Sequence, residues 1–163
     1  MMISLQIERI LNSNLQTKSN FLGCLPCDSL PSPSTLNYPV SFIMNFDPQR
    51  MDGSHWVAIY AEGIDKEVLY YDSLALFSFE NLNKKCQISN FLKQFPAIIR
   101  NRRAYQSYSS NTCGHHAICF IYFLSLGQKY EHFLKILENT HNPDLYVKTF
   151  VNKTDKKPFN NEM

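Results

Sequence analysis

Cys113 is the residue whose surroundings most clearly suggest chemistry. Residues 105–123 run from a polar, turn-prone segment into an apolar stretch, with Asn111 and Thr112 both able to cap a helix and Cys113 in its first turn. Unpaired amide N–H groups and the positive end of the helix dipole favour the thiolate there, so this thiol loses its proton more readily than one in a core. Gly114 lets a substrate backbone approach closely, and Gln106, seven positions upstream, can aim a side-chain amide at a developing oxyanion.

A nucleophilic thiol needs a base, and the base needs an acid behind it. His55 stands before the apolar run 56–61, and Asp72 ends the run 67–72. If the two runs pair as an antiparallel hairpin, with Gly63 and Asp65 in its turn, His55 and Asp72 meet at one end of the sheet. His55 then takes the Cys113 proton, Asp72 accepts the other ring N–H, and Gln106 with the Cys113 backbone N–H binds the oxyanion.

Other candidates compete for these roles. His115 and His116 adjoin the thiol, but consecutive helical residues point to different sides, so adjacency alone does not bring a ring to the sulfur. A Cys113/His115/His116 metal site lacks a clear fourth ligand, and the Cys24/Cys27 C-x-x-C pair has no partner pair at zinc-ribbon distance, which leaves two loop cysteines. Cys119 lies inside the apolar run and reads as packing. Asp65 falls at the far end of the hairpin.

These groups must be positioned by a mixed α+β domain. Ile3, Ile7, Ile10 and Leu11 recur at helical spacing and predict an amphipathic helix over residues 2–12, followed by a polar stretch over 12–20 and a Pro/Ser-rich irregular segment over 29–39. Residues 40–46 predict a buried strand, Gly53 a break before His55, and 56–61 with 67–72 the hairpin. Leu82, Ile88, Phe91, Leu92 and Phe95 predict a helix closed by Pro96, residues 97–99 a short strand, and 103–106 another leading to the nucleophile. The central helix spans 113–126 with Gly127 as its left-handed cap, and a last helix around Tyr130, Phe133, Leu134 and Leu137 stops before Pro143. The expected architecture is a mixed or antiparallel twisted sheet packed on the helix that carries Cys113. One domain covers residues 1–151, and 152–163 form a frayed tail.

With 163 residues the chain can bury a sizeable core unaided. A net charge of +2 does not by itself predict nucleic-acid binding, although Arg100, Arg102 and Arg103, and then Lys153, Lys156 and Lys157, form local basic clusters. Five cysteines, no secretory hydrophobic region near the start and an apolar run at 117–124 too short to span a bilayer predict a soluble, non-secreted, intracellular protein with free thiols in a reducing compartment.

The set Gly53-Ser54-His55-Trp56, Tyr70-Tyr71-Asp72-Ser73 and Gln106 with Cys113-Gly114 resembles the adenain-like cysteine proteases, the superfamily of adenovirus-type maturation and ubiquitin-like-protein-specific proteases. The order His, acid, Gln, Cys is that superfamily's mark, and Phe21-Leu22-Gly23 is similar to an early adenain segment. The seven-position step from Gln106 and the Thr112 before the thiol are similar to adenain, whereas Tyr71-Asp72-Ser73 is similar to the SUMO-protease strand end. The resemblance implies a cysteine endopeptidase acting with His55, Asp72, Gln106 and Cys113. Its implied substrates are structural precursor proteins of a virus or mobile element, such as capsid or core precursors, cleaved at Gly-containing sites in a host nucleus or virion. It implies a monomer that requires no cofactor, with a peptide or DNA as the kind of activator adenain uses and weak DNA binding to match. Two other readings use the same residues: an isopeptidase acting on ubiquitin-like proteins, and an inactive interaction module.

Overall fold

The computed structural model describes residues 1–46, 55–76 and 86–156. Among them, five strands form one sheet in the order β1 (Phe21–Pro26), β2 (Val40–Asn45), β3 (Trp56–Ala61), β4 (Val68–Tyr71) and β5 (Ile98–Arg100). The two central pairings, β2 with β3 and β3 with β4, are antiparallel, while β1 and β5 add in parallel at the edges. The sheet is therefore mixed, as the sequence predicts. The predicted break at Gly53 and the helical stripe position Leu82 lie outside the described residues.

The apolar strands lack clear alternation because both faces of the sheet are covered. Ile43, Ala58, Tyr60 and Tyr71 face one core, with α1 (Ser4–Ser13), α4 (Cys113–Ser125), α5 (Tyr130–Glu138) and α6 (Pro143–Asp155). Phe42, Met44, Val57, Ile59, Val68 and Tyr70 face a second core with Ile88, Phe91 and Leu92 of α3 (Ile88–Leu92). Every residue of β2 and of β3 is buried, so these two strands form the interior of the sheet. A short α2 (Leu15–Lys18), capped by the Asn14 side chain accepting from Gln16 N–H at 2.9 Å, fills the predicted polar stretch.

α4 is buried along most of its length, including Ile118, Cys119, Phe120 and Ile121, and ends at Gly127, whose φ of +81° suits a residue without Cβ. Phe120 seats it on the sheet: its ring stacks on Tyr71 at 5.3 Å and meets Tyr130 edge-on at 5.2 Å. Contacts of this kind are worth about 1 kcal/mol each beyond area burial, enough to hold the helix and its first residue in one place.

Four expectations need correction. Residues 21–26 form an edge strand, so Cys24 lies in β1 and not in a loop, while Cys27 lies in the turn just after it with its side chain fully buried in the core. No strand forms over 103–106, because the Tyr105 and Gln106 amides both donate to one carbonyl, Ser73 O, at 2.8 and 3.0 Å, a turn-like pattern that no ladder provides. Pro143 opens a helix instead of only ending a segment: Asn142 caps α6 by accepting from Leu145 N–H at 3.0 Å, and proline suits the first helical position. α6 then continues through Asp155, past the tail boundary expected at Val151, because Val147 and Val151 pack into the core with α4.

Candidate active site

The register that pairs Ala58 with Tyr71 brings the start of β3 and the exit of β4 to the same end of the sheet. His55, immediately before β3, is 7% exposed, and its Nε2 lies 2.7 Å from Asp72 Oδ1. Phe46 stacks on the imidazole at 5.8 Å with an interplanar angle of 9°, fixing the plane of the ring. Nε2 is committed to the carboxylate, so Nδ1 is the nitrogen left for the Cys113 thiol, which is hydrogen-bonded to the ring.

Asp72 is 1% exposed and held from several directions. Its Oδ1 also accepts Leu74 N–H at 3.0 Å, and its Oδ2 accepts Leu76 N–H at 2.9 Å. Asn101, just past β5, extends the sheet with a side chain where backbone pairing stops: Asp72 N–H donates to Asn101 Oδ1 at 3.0 Å and Asn101 Nδ2 donates to Asp72 O at 2.6 Å. A buried carboxylate with these donors is oriented before any substrate arrives.

Burial works against charge on both members of the Cys113–His55 pair, yet their contacts outweigh it. For His55, desolvation lowers the pKa, but the hydrogen bonds to Asp72 and Cys113 and the nearby negative charge push it up to about 9. For Cys113, desolvation raises the pKa, but the His55 hydrogen bond, the Trp56 and Gly114 backbone N–H groups and the imidazolium charge bring it below the ordinary thiol value. Both shifts run in the direction that favours a thiolate–imidazolium pair over the neutral thiol and ring. Cys24 and Cys119, by contrast, are pushed up by burial.

Gln106 is buried between the acid and the nucleophile. Its Oε1 accepts the Ser73 hydroxyl at 2.6 Å, and its Nε2 donates one hydrogen to Ser110 O at 3.0 Å. An amide nitrogen carries two hydrogens, so the second is available for an oxyanion. Ser73 directly follows Asp72, and one turn thus ties the acid to the amide. His55, Asp72 and Cys113 come together, with Gln106 locked to the same turn.

The residues around Cys113 add three details, of which the first differs from expectation and the last agrees with it. Thr112 does not cap α4 with its side chain; its hydroxyl turns to the Asp144 carboxylate. A Cβ built on Gly114 would stand 3.1 Å from Met2 Cβ and 3.4 Å from Ile7 Cδ1, so the close approach of the N-terminal segment is one reason for a glycine here. His116 faces away from the sulfur, with Nδ1 at 2.9 Å from the Tyr71 hydroxyl and Nε2 at 3.1 Å from Asp144 Oδ1. No group of three or more His, Cys, Asp or Glu among the described residues is arranged to hold a metal. Sequence reasoning misses Ser73, Asn101, Phe46 and Asp144. Only Ser73 had a local signal, since it follows the candidate acid.

A buried thiol, imidazole and carboxylate at the end of a mixed sheet define the class: the model of the Ulp1 protease family, C-terminal catalytic domain, matches residues 39–157, and the chain belongs to that family. The chain is 23% identical over 124 residues to the "Protease" of Snake adenovirus serotype 1, covering 70% of this chain and 61% of that one. In fold it is similar to the ASFV pS273R protease, with a TM-score of 0.56 and 13% identity over 87% of this chain and 64% of that chain. It therefore spans less than two thirds of the length of both relatives. Among the described residues no helix is long and apolar enough to cross a membrane.

Proposed function

We propose that this chain is a cysteine endopeptidase. The observation that carries the reading is the imidazole of His55, bracketed by the Asp72 carboxylate at 2.7 Å and the Cys113 sulfur. The Cys113 thiolate attacks the scissile carbonyl carbon, and the carbonyl π electrons move onto oxygen. The Cys113 backbone N–H and the second Gln106 amide hydrogen receive that oxyanion. As the tetrahedral intermediate collapses, His55 gives its proton to the departing amine and the C–N bond breaks, leaving a thioester. Water, deprotonated by the now neutral His55, attacks the thioester, and the thiolate leaves with the acid product released. Asp72 keeps the ring oriented and stabilises its positive form throughout.

The preferred substrates are structural precursor proteins of a virus or mobile element, cut at Gly-containing sites. The similarity to an adenovirus protease supports this choice. Trimming of ubiquitin-like proteins is the second reading, favoured by membership of the Ulp1 family. The filled Cys–His–Asp arrangement argues against an inactive interaction module.

The test is digestion of a panel of capsid and core precursors beside ubiquitin-like fusions, with and without duplex DNA or a basic peptide, followed by sequencing of the new termini. Cleavage after glycine in the precursors, abolished by Cys113→Ala without a change in melting temperature, is the expected result. Cleavage confined to the fusions selects the second reading. Persisting activity in Cys113→Ala refutes the nucleophile assignment.

A further inference from the structure

One carboxylate from α6 reaches both ends of the segment that joins Gln106 to Cys113. Asp144 Oδ2 accepts the Ser107 backbone N–H at 3.0 Å, and its Oδ1 accepts the Thr112 hydroxyl and, at 3.1 Å, a hydrogen from His116 Nε2. Because a carboxylate only accepts, His116 carries its proton on Nε2, and Nδ1 accepts from the Tyr71 hydroxyl at 2.9 Å. His116 is fully buried and Tyr71 is 1% exposed, so this chain of groups runs through the core from the end of β4 to the carboxylate. Burial raises the Asp144 pKa, but its donors Thr112, Ser107 and His116 together hold it below the usual carboxylate range. Packing of α6 already has its own basis in Val147 and Val151.

The positions of these contacts give them a specific consequence. Ser107 directly follows Gln106, and the Thr112 carbonyl shares a peptide plane with the Cys113 N–H. The two groups assigned to the oxyanion therefore each have a neighbour fastened to the same carboxylate. The thiolate itself is not: its partners are His55 and the backbone N–H groups of Trp56 and Gly114.

We propose that Asp144 is a positioning residue for the oxyanion pocket, holding the Gln106 side chain and the Cys113 N–H at the separation a tetrahedral intermediate requires. The proposal rests on Cys113 being the nucleophile. It predicts that losing the Asp144 contacts slows reactions that pass through an oxyanion and spares those that do not.

Two reagents separate the cases. The p-nitrophenyl ester of N-acetylglycine acylates the thiol through a tetrahedral oxyanion, releasing p-nitrophenolate as the thioester forms. Iodoacetamide alkylates the same sulfur by displacing iodide, with no oxyanion. In Asp144→Asn and in Thr112→Val, acylation should fall by about tenfold or more, the size of a compromised oxyanion donor, while Cys113 alkylation stays within about threefold of wild type. Thr112→Ser, which keeps the hydroxyl, should restore acylation. Should Asp144→Asn fail to fold, Thr112→Val, which leaves Asp144 in place and removes one hydroxyl with its contacts to Asp144 and to Ser110 Oγ, decides the matter. Unchanged acylation, or equal loss of both rates, overturns the role given to Asp144. Wild-type Cys113 reacting with iodoacetamide no faster than Cys24, Cys27, Cys86 and Cys119 would instead refute the nucleophile assignment beneath it.

Discussion

Asp72→Asn tests the electrostatic core of the site. The change keeps the shape of the side chain and removes its charge. Lifting His55 from 6.5 to about 9 corresponds to about 3 kcal/mol in favour of the imidazolium, at about 1.4 kcal/mol per tenfold change in the equilibrium. His55 is 7% exposed, so solvent screens little of this. Burial opposes the lift, and of the two hydrogen bonds that produce it, the one to Asp72 is the larger and the one to Cys113 the smaller. Assigning somewhat more than half to the carboxylate makes its loss worth about 2 kcal/mol, or roughly thirtyfold in the population of the ion pair. The sign follows from the charges. Without Asp72 the ring deprotonates more easily, so the alkaline limb of kcat/KM moves from near 9 toward neutrality. The thiol loses part of its cationic partner and rises, so the acid limb moves up. The active window narrows from both sides, and activity at its centre falls by about one to two orders of magnitude. The assay is the pH profile of turnover beside that of iodoacetamide inactivation, each fitted for two ionisations. A raised His55 pKa also adds stability that is complete below 6.5 and lost as pH rises through about 9. Wild type should therefore lose more melting temperature than Asp72→Asn between pH 7 and pH 10. An alkaline limb that stays near 9 in the variant would refute the account.

The turn after β4 and the end of β5 offer two further tests. Ser73→Ala removes the hydroxyl that holds Gln106 Oε1 at 2.6 Å; kcat should fall several-fold with little change in KM, against roughly a hundredfold or more for Gln106→Ala. The double variant should be no worse than Gln106→Ala alone, and steady-state kinetics on the four proteins checks this. Asn101→Ala strands the buried Asp72 N–H and C=O that the amide serves at 3.0 and 2.6 Å, which should cost about 2 kcal/mol and lower the melting temperature by roughly 4–8 °C. Calorimetry measures that loss, and a shift within 1 °C would show that water replaces the amide.

The legible parts of this molecule are those in which one short stretch of chain contains its own physical reason. The two apolar runs around the Gly63 turn can satisfy their backbones only by pairing, and that pairing brings His55 to Asp72 whatever the rest of the fold does. The polar lead-in to an apolar run places Cys113 at a helix start in the same way. What escaped depends on partners distant in sequence. β1 contains Gly23 and Pro26, which read as breaks, yet a parallel edge strand pairs on one side only and tolerates them. Pro143 reads as a stop until Asn142 before it is seen as a cap. Residues 103–106 contain a single strand former, Tyr105, and the Ser73 carbonyl captures two successive amides and curls the segment toward the acid. That capture is why Gln106 reaches the site at all: a straight strand would have carried its side chain along the sheet, whereas the curl lays it against the turn that already holds Asp72. Asp144 is the extreme case, since its meaning lies entirely in Ser107, Thr112 and His116 converging on it from another part of the chain. The thiol, imidazole and carboxylate that the fold brings together were legible from local pattern, while the groups that hold them required the three-dimensional structure.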